Sequence, residues 1–140
     1  MTEAVLDASV VLKWFRADGE RNVDAARELR ARFEAGQLLA FAPPLLFLEI
    51  LNVAGRRWRL RPAELQRLAA ILPNLGLQIV EPELAVLANR VANGLTAYDA
   101  AYVAVAEQTG ALLITDDRGI LSVAADLTAP LADGPQRPRS

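Results

Sequence analysis

The stretch Ala111-Leu112-Leu113-Ile114-Thr115-Asp116-Asp117 is a short apolar run that ends in two acids. A run of this length with polar residues after it is typical of a strand buried on both faces of a sheet. Gly110 stops the helical pattern before it, which begins at Thr96. Within that pattern, residues 100–106 are small and nearly all apolar. We therefore predict a helix pressed against the middle of a sheet, followed by a buried parallel strand.

The rest of the chain alternates short apolar runs with amphipathic helical patterns. Further strands are predicted over 3–6, 38–42, 77–80 and 127–129, and further helices over 10–15, 23–33, 45–58, 62–72 and 82–92, with a helical turn at 120–124. Such alternation favours an α/β fold. We predict a three-layer sandwich with a central, mainly parallel sheet of four or five short strands flanked by helices. A single domain over 1–131 and a frayed, proline-bearing tail over 132–140 account for the 140 residues.

The composition excludes several kinds of chemistry. Hydrophobic residues make up 53% of the chain and charged residues 23%, which excludes the disordered class. The chain has no cysteine and no histidine, so it has no disulfide, thiolate metal site, cysteine nucleophile or imidazole base. A hydrolytic mechanism must then rely on carboxylates and an oxygen-liganded metal.

Charge and hydropathy bear on location and partners. The net charge of −2 is too small to indicate a polyanionic partner for the chain as a whole. Asp7 and Lys13 interrupt the apolar N-terminal run, and no later apolar stretch approaches the roughly 20 residues of a membrane span. We expect a cytoplasmic protein with no membrane partner.

Acidic residues follow two of the predicted strands. Asp7 comes directly after the first strand, and Asp116 and Asp117 come after the strand that ends at Thr115. Ligands of open parallel sheets bind beyond the carboxyl ends of the strands, so these acids are candidate site residues. Each also has a structural interpretation as a helix N-cap. Ser9 stands two residues after Asp7, where its hydroxyl could orient the carboxylate.

Two further acids lie in apolar helices. Glu49 is surrounded by leucine, isoleucine, phenylalanine and valine, and an enclosed carboxylate needs partners. A hydrogen bond to Asn52, one turn on, is the alternative explanation for Glu49. Asp99 follows Thr96 by three residues, which also resembles a capping box.

Taken together, these acids point to a metal. Two carboxylates about 5 Å apart repel by about 3 kcal/mol at an effective dielectric constant near 20, so a cluster of them needs protons or a cation. Mg²⁺ or Mn²⁺ takes oxygen ligands and can promote hydrolysis of a phosphodiester.

Four segments of the chain resemble the PIN domain, and in particular VapC-type toxins. They are Val5-Leu6-Asp7-Ala8-Ser9, Leu48-Glu49-Ile50-Leu51-Asn52, Tyr98-Asp99-Ala100-Ala101-Tyr102-Val103-Ala104-Val105-Ala106-Glu107 and Leu113-Ile114-Thr115-Asp116-Asp117. The resemblance runs in order along nearly the whole chain. It implies a PIN-like sandwich and an endoribonuclease that uses Mg²⁺ or Mn²⁺. It also implies a VapB-like antitoxin as partner in a toxin–antitoxin module, and a homodimer or a toxin–antitoxin hetero-oligomer.

The resemblance also assigns the acids. Asp7, Glu49 and Asp99 match the first three acids of the family, and Asp117 matches the fourth through a Thr-x-Asp motif. Asp116 occupies the variable position, as an assisting or alternative ligand. The polar residues expected to support these acids are Ser9, Asn52 and Thr115.

A basic segment near the middle of the chain is a candidate RNA contact. Five arginines against one glutamate over residues 56–67 leave a local charge of +4, with a tryptophan among them. Arginine binds phosphate and an aromatic ring stacks on an unpaired base, although a solvated helix end explains the pattern equally well. The predicted contacts are Arg56, Arg57, Trp58, Arg59, Arg61 and, beside the last acids, Arg118.

Other functions on a similar scaffold fit less well. A haloacid-dehalogenase-like enzyme needs an acid where Ser9 stands, and a receiver domain needs a lysine after a late strand, whereas Lys13 is the only lysine. The remaining alternative is a catalytically silent PIN-like module that binds RNA or protein.

Overall fold

The computed structural model describes residues 1–134, which form one five-stranded sheet. The strands are β1 (Thr2–Leu6), β2 (Leu38–Ala42), β3 (Gln78–Ile79), β4 (Leu112–Thr115) and β5 (Thr128–Pro130). Their order is β3-β2-β1-β4-β5, and every pairing is parallel. The predicted parallel sheet is confirmed. Of the predicted tail, residues 135–140 lie outside the described residues.

Seven α-helices lie within the described part of the chain. They are α1 (Ala8–Phe15), α2 (Val23–Glu34), α3 (Leu45–Arg56), α4 (Pro62–Ile71), α5 (Leu84–Ala92), α6 (Ala97–Thr109) and α7 (Arg118–Val123). Short 3-10 helices occur at Leu72–Asn74, Ala125–Leu127 and Leu131–Asp133. In residues 1–134 no helix combines the length and the apolar character required to cross a membrane.

The helices cover both faces of the sheet, which confirms the three-layer sandwich. The chain runs from β1 to β2 to β3 in one direction across the sheet, and then crosses to β4 and β5 in the other. Because crossovers between parallel strands are almost always right-handed, this topology predicts α1 to α4 on one face and α5 to α7 on the other, and the contacts of α1 with α2 and α3 and of α5 with α6 agree with it. Helix α6 packs on β1, β2 and β4, and its residues 100–106 are all buried, as its small apolar sequence predicts.

Some boundaries differ from the sequence-based prediction. Helix α3 ends at Arg56 rather than at residue 58, because Arg59 adopts a left-handed φ of 54° and the Leu60 amide turns back to bond the Ala54 carbonyl. Helix α5 begins at Leu84 because Glu83, its N-cap, has an extended backbone. Strand β3 contains only two residues, since it lies exposed at the edge of the sheet.

The topology creates a crevice between β1 and β4. Connections leave these two neighbouring strands in opposite directions, and ligands of such sheets bind outside the carboxyl ends of the strands at this point. Asp7 directly follows β1, and Asp116 and Asp117 follow β4. The fold therefore places three of the candidate acids at the position where a ligand is expected.

Candidate functional site

A pocket of about 600 Å³ opens at the carboxyl ends of β1 and β4. Asp7 and Asp117 line it from the ends of these strands, Glu49 from α3 and Asp99 from α6. Asp116 lines the same pocket. The structure thus brings together all of the acids that the sequence singled out.

Asp7 is the most enclosed of these acids. It occupies the N-cap position of α1, but its side chain makes no capping hydrogen bond. Instead, the hydroxyls of Ser9 and Thr115 donate to its Oδ2 at 2.8 and 2.7 Å. Burial raises the pKa of Asp7, the two hydroxyls lower it, and the nearby charge of Asp117 raises it further. The capping interpretation therefore accounts for the backbone of Asp7 and not for its carboxylate.

Glu49 is held by a tyrosine that sequence analysis did not assign to the site. The Tyr102 hydroxyl donates to Glu49 Oε1 at 2.8 Å. Burial raises the pKa of Glu49, the Tyr102 hydroxyl lowers it, and the charges of Asp7 and Asp99 raise it. Burial and then the charge of Glu49 raise the pKa of Tyr102, so the phenol stays protonated and keeps donating. The sequence did contain an indication that Tyr102 belongs to the site, because Tyr102 lies three residues after Asp99 and shares its helix face.

Asp99 lines the pocket from the first turn of α6. The Thr96 hydroxyl accepts from the Asp99 backbone N–H at 3.1 Å, so the predicted helix cap is made by the threonine. Burial raises the pKa of the Asp99 carboxyl, the charge of Asp117 raises it further, and the bond to Thr96 lowers it. The Thr96 hydroxyl thus caps the helix and also bonds the Asp99 carboxyl, which leaves the carboxyl in the pocket lining.

The two acids after β4 have different partners. Asp117 caps α7 by accepting from the Ile120 amide at 3.0 Å, and its charge raises the pKa of Asp7 and of Asp99. Asp116 lies 3.2 Å from the Lys13 ammonium and accepts from Asn22 at 3.2 Å. Asp117 is thus coupled to the other acids, whereas Asp116 is paired with a cation.

Two of the three predicted supporting residues contact the acids, and the third does not. Ser9 and Thr115 contact Asp7, and Thr115 Oγ1 also accepts from the Asp117 backbone N–H at 2.9 Å. Asn52 is exposed and does not line the pocket. The hydrogen-bond partner of Glu49 in the described chain is Tyr102 rather than Asn52, so the structure does not support the alternative explanation for Glu49.

None of the predicted arginines lines the acidic pocket. Arg57 lies 3.8 Å from Glu20, which lines the pocket, and the guanidinium of Arg16 lies 5.5 Å from the centre of the Trp58 ring. Arg61 is paired with Glu64 on α4. The remaining predicted contacts are exposed: Arg56, Arg59 and Arg118.

The donor set of the pocket fits a hard divalent cation. Each of Asp7, Glu49 and Asp99 has a raised pKa to which another carboxylate contributes, and no basic side chain among residues 1–134 lowers these values. Carboxylate oxygens of this kind are the ligands that Mg²⁺ and Mn²⁺ accept. Within residues 1–134, however, no three acidic side chains are arranged to hold an ion as they stand. Binding therefore requires side-chain movement, which Asp117, being exposed, can make.

Comparison with known proteins gives a family and a fold. A family model described as PIN domain matches residues 4–126. The crystal structure of PAE2754 from Pyrobaculum aerophilum is similar, with a TM-score of 0.63 and 25% sequence identity over 94% of this chain and 92% of that one. A search of the curated proteins finds no match.

Proposed function

The chain belongs to the PIN domain family, and from this premise we propose that it is a metal-dependent endoribonuclease that hydrolyses phosphodiester bonds of RNA. PIN domains are generally metal-dependent nucleases. The observation that most supports the proposal is the meeting of four carboxylates, from β1, α3, α6 and β4, in one pocket, where neighbouring carboxylates raise the pKa of Asp7, Glu49 and Asp99.

In this proposal Asp7, Glu49, Asp99 and Asp117 hold Mg²⁺ or Mn²⁺. When bound, the ion supplies a water of lowered pKa and neutralises charge on the phosphodiester. The electrostatic coupling of Asp117 to Asp7 and Asp99 supports its assignment as the fourth acid. Asp116, which is paired with Lys13, assists by holding that cation beside the pocket.

The neighbouring polar groups keep the acids in place. Ser9 and Thr115 direct two hydroxyls at one oxygen of Asp7, which fixes its orientation and leaves Oδ1 for another partner. Tyr102 holds Oε1 of Glu49 in the same manner. Groups oriented in advance in this way do not have to be reorganised during the reaction.

The decisive experiment is cleavage of a mixed RNA pool by the purified protein, with Mg²⁺ or Mn²⁺ against a chelator. We expect metal-dependent cleavage that Asp7→Asn reduces by at least about 100-fold, since it removes a ligand of the ion. Asp126→Asn is the matched control, because Asp126 is exposed and does not line the pocket. A folded protein that binds RNA and cuts none under any of these conditions would instead be the catalytically silent module.

The toxin role, the antitoxin partner and the oligomeric state belong to the same proposal. The likeness to VapC-type toxins supports a cytoplasmic toxin with a VapB-like antitoxin, acting as a homodimer or a hetero-oligomer. Leu48, which is 65% exposed on the helix that carries Glu49, supports a protein partner near the site. Induced expression in a bacterial host should arrest growth with the wild-type chain and not with Asp7→Asn. Growth that continues equally with both would contradict the toxin role and leave the nuclease proposal standing.

A further inference from the structure

Lys13 is a buried cation beside the acids that the proposed mechanism does not use. Its side chain is 6% exposed, and its ammonium lies 3.2 Å from Asp116 and 3.3 Å from Glu20. Both acids line the same pocket as Asp7, and so does Lys13. One positive charge therefore faces two carboxylates, and it remains paired with Asp116 if Glu20 moves away.

Glu20 lies between two cations. Its Oε2 contacts the Lys13 ammonium and its Oε1 lies 3.8 Å from the Arg57 guanidinium. A carboxylate held through both oxygens presents the same charge and the same pair of acceptors as the two non-bridging oxygens of a phosphodiester. Arginine and lysine are the side chains that bind phosphate in this way.

The contacts of Glu20 are of a kind that a ligand can displace. Glu20 stands on the segment between α1 and α2 with 37% of its side chain exposed, and Arg57 is 71% exposed. The Arg57–Glu20 pair is exposed and contributes little to stability, and Lys13 keeps Asp116 as a partner when Glu20 leaves, so exchanging Glu20 for another anion leaves no buried charge unpaired. A phosphodiester carries one negative charge, so the exchange leaves the net charge beside the acidic pocket unchanged.

We propose that Lys13 and Arg57 form a binding subsite for a backbone phosphate of single-stranded RNA, and that Glu20 occupies this subsite in the free protein. The inference rests on the proposed function, because it places the phosphate next to the one that is cut. Glu20 then limits RNA affinity, and the substrate must displace it to enter the pocket.

The test is the affinity of a fluorescein-labelled 12-nucleotide single-stranded RNA of random sequence, measured by fluorescence anisotropy in the presence of a chelator. We expect Glu20→Gln to tighten binding about three- to fivefold, which corresponds to removing one exposed ion pair that competes with the RNA. Arg57→Gln should weaken binding by a similar factor and abolish the gain from Glu20→Gln. Lys13→Met should weaken it too, with partial rescue by Lys13→Arg.

The matched control is Asp18→Asn, which removes the same charge from the same segment. Asp18 is exposed and does not line the acidic pocket, so a change below about twofold is expected from the weak, screened interaction of distant surface charges. Equal effects of Glu20→Gln and Asp18→Asn, or weaker binding by Glu20→Gln, would overturn the subsite. If Lys13→Met fails to fold, the Glu20 and Arg57 variants decide the question.

The outcome is separable from that of the nuclease proposal. Metal-dependent cleavage together with an inert Glu20→Gln refutes the subsite alone. Tighter binding by Glu20→Gln in a protein that cuts no RNA supports the subsite and refutes the nuclease. Absence of RNA binding by every variant, including Glu20→Gln, refutes the subsite as well.

Discussion

Replacing Asp7 with asparagine should stabilise the metal-free protein at neutral pH. Asp7 is 7% exposed, and burial raises its pKa despite the hydroxyls that donate to it. The folded state therefore favours the neutral acid, and at neutral pH the ionised carboxylate opposes folding. Asparagine has nearly the same shape and carries no charge.

The size of the effect follows from two opposing contributions. The effective desolvation penalty of a buried ion is several kcal/mol, which asparagine avoids. The hydrogen bonds from Ser9 and Thr115 become bonds to a neutral acceptor, with a loss of about 1 kcal/mol each. The net gain in the free energy of unfolding is about 1–2 kcal/mol. That corresponds to about 3–6 °C in melting temperature for a chain of this length.

The raised pKa of Asp7 also predicts how the stability gain from Asp7→Asn changes with pH. An acid with a raised pKa in the folded state contributes stability that is present below its ordinary pKa and is lost as the pH rises through the folded-state value. The gain from Asp7→Asn should thus be largest at about pH 7.5 and shrink as the pH falls, approaching zero at about pH 3 and below, where Asp7 is mostly protonated in both states.

The assay is urea unfolding of both proteins across this pH range with a chelator present. Asp126→Asn, which removes an exposed acid, should change the free energy of unfolding by less than about 0.5 kcal/mol. A less stable Asp7→Asn protein at pH 7.5, or a difference that grows as the pH falls, would refute the claim that the buried charge opposes folding.

Three further predictions concern the same pocket. Saturating Mn²⁺ should raise the melting temperature of the wild-type protein in differential scanning fluorimetry, because a ligand at 100 times its Kd adds about 2.7 kcal/mol to the free energy of unfolding. The melting temperature of Asp7→Asn should stay unchanged. Tyr102→Phe should raise the pKa of Glu49, because the lost hydroxyl lowers it, and should shift the acidic limb of the cleavage pH profile to higher pH. Thr115→Val should lower the free energy of unfolding by about 1–3 kcal/mol, since Thr115 is buried and donates to a carboxylate. In an Asp7→Asn background that loss should be smaller. Equal losses in the two backgrounds would contradict the claim that the Thr115 hydroxyl stabilises the protein through the Asp7 carboxylate.

Much of the fold could be predicted from local patterns. The apolar run at residues 111–115 and the small apolar helix before it become β4 and α6 with nearly the predicted bounds. Boundaries set by backbone geometry were less predictable. The end of α3, for example, depends on the left-handed conformation of Arg59, for which the sequence carries no glycine as a signal.

The site could be predicted in its acids but not in their partners. Acids that follow parallel strands meet at one edge of the sheet, so Asp7 and Asp117 were accessible to sequence reasoning. The role of Asn52 was inferred from its spacing to Glu49, yet Asn52 is exposed and does not line the pocket, although its neighbour Val53 does. Tyr102 was present in a quoted motif, and Lys13 was noted only as an interruption of the apolar N-terminal run and as the one lysine of the chain, without any indication of what either residue contacts.

The sequence by itself determined the order of strands and helices, the absence of imidazole and thiol chemistry, and the acids at the strand ends. These are local properties, because hydrophobic periodicity, composition and the glycines and prolines that end helices and strands act over a few residues. Only the tertiary structure decided that Tyr102 holds Glu49 across 53 residues and that Thr115 holds Asp7 across 108. It alone separated Asp117, which is coupled to the other acids, from Asp116, which is paired with Lys13. Adjacent residues after a strand point in different directions, and their partners come from elements that only packing brings within hydrogen-bonding distance.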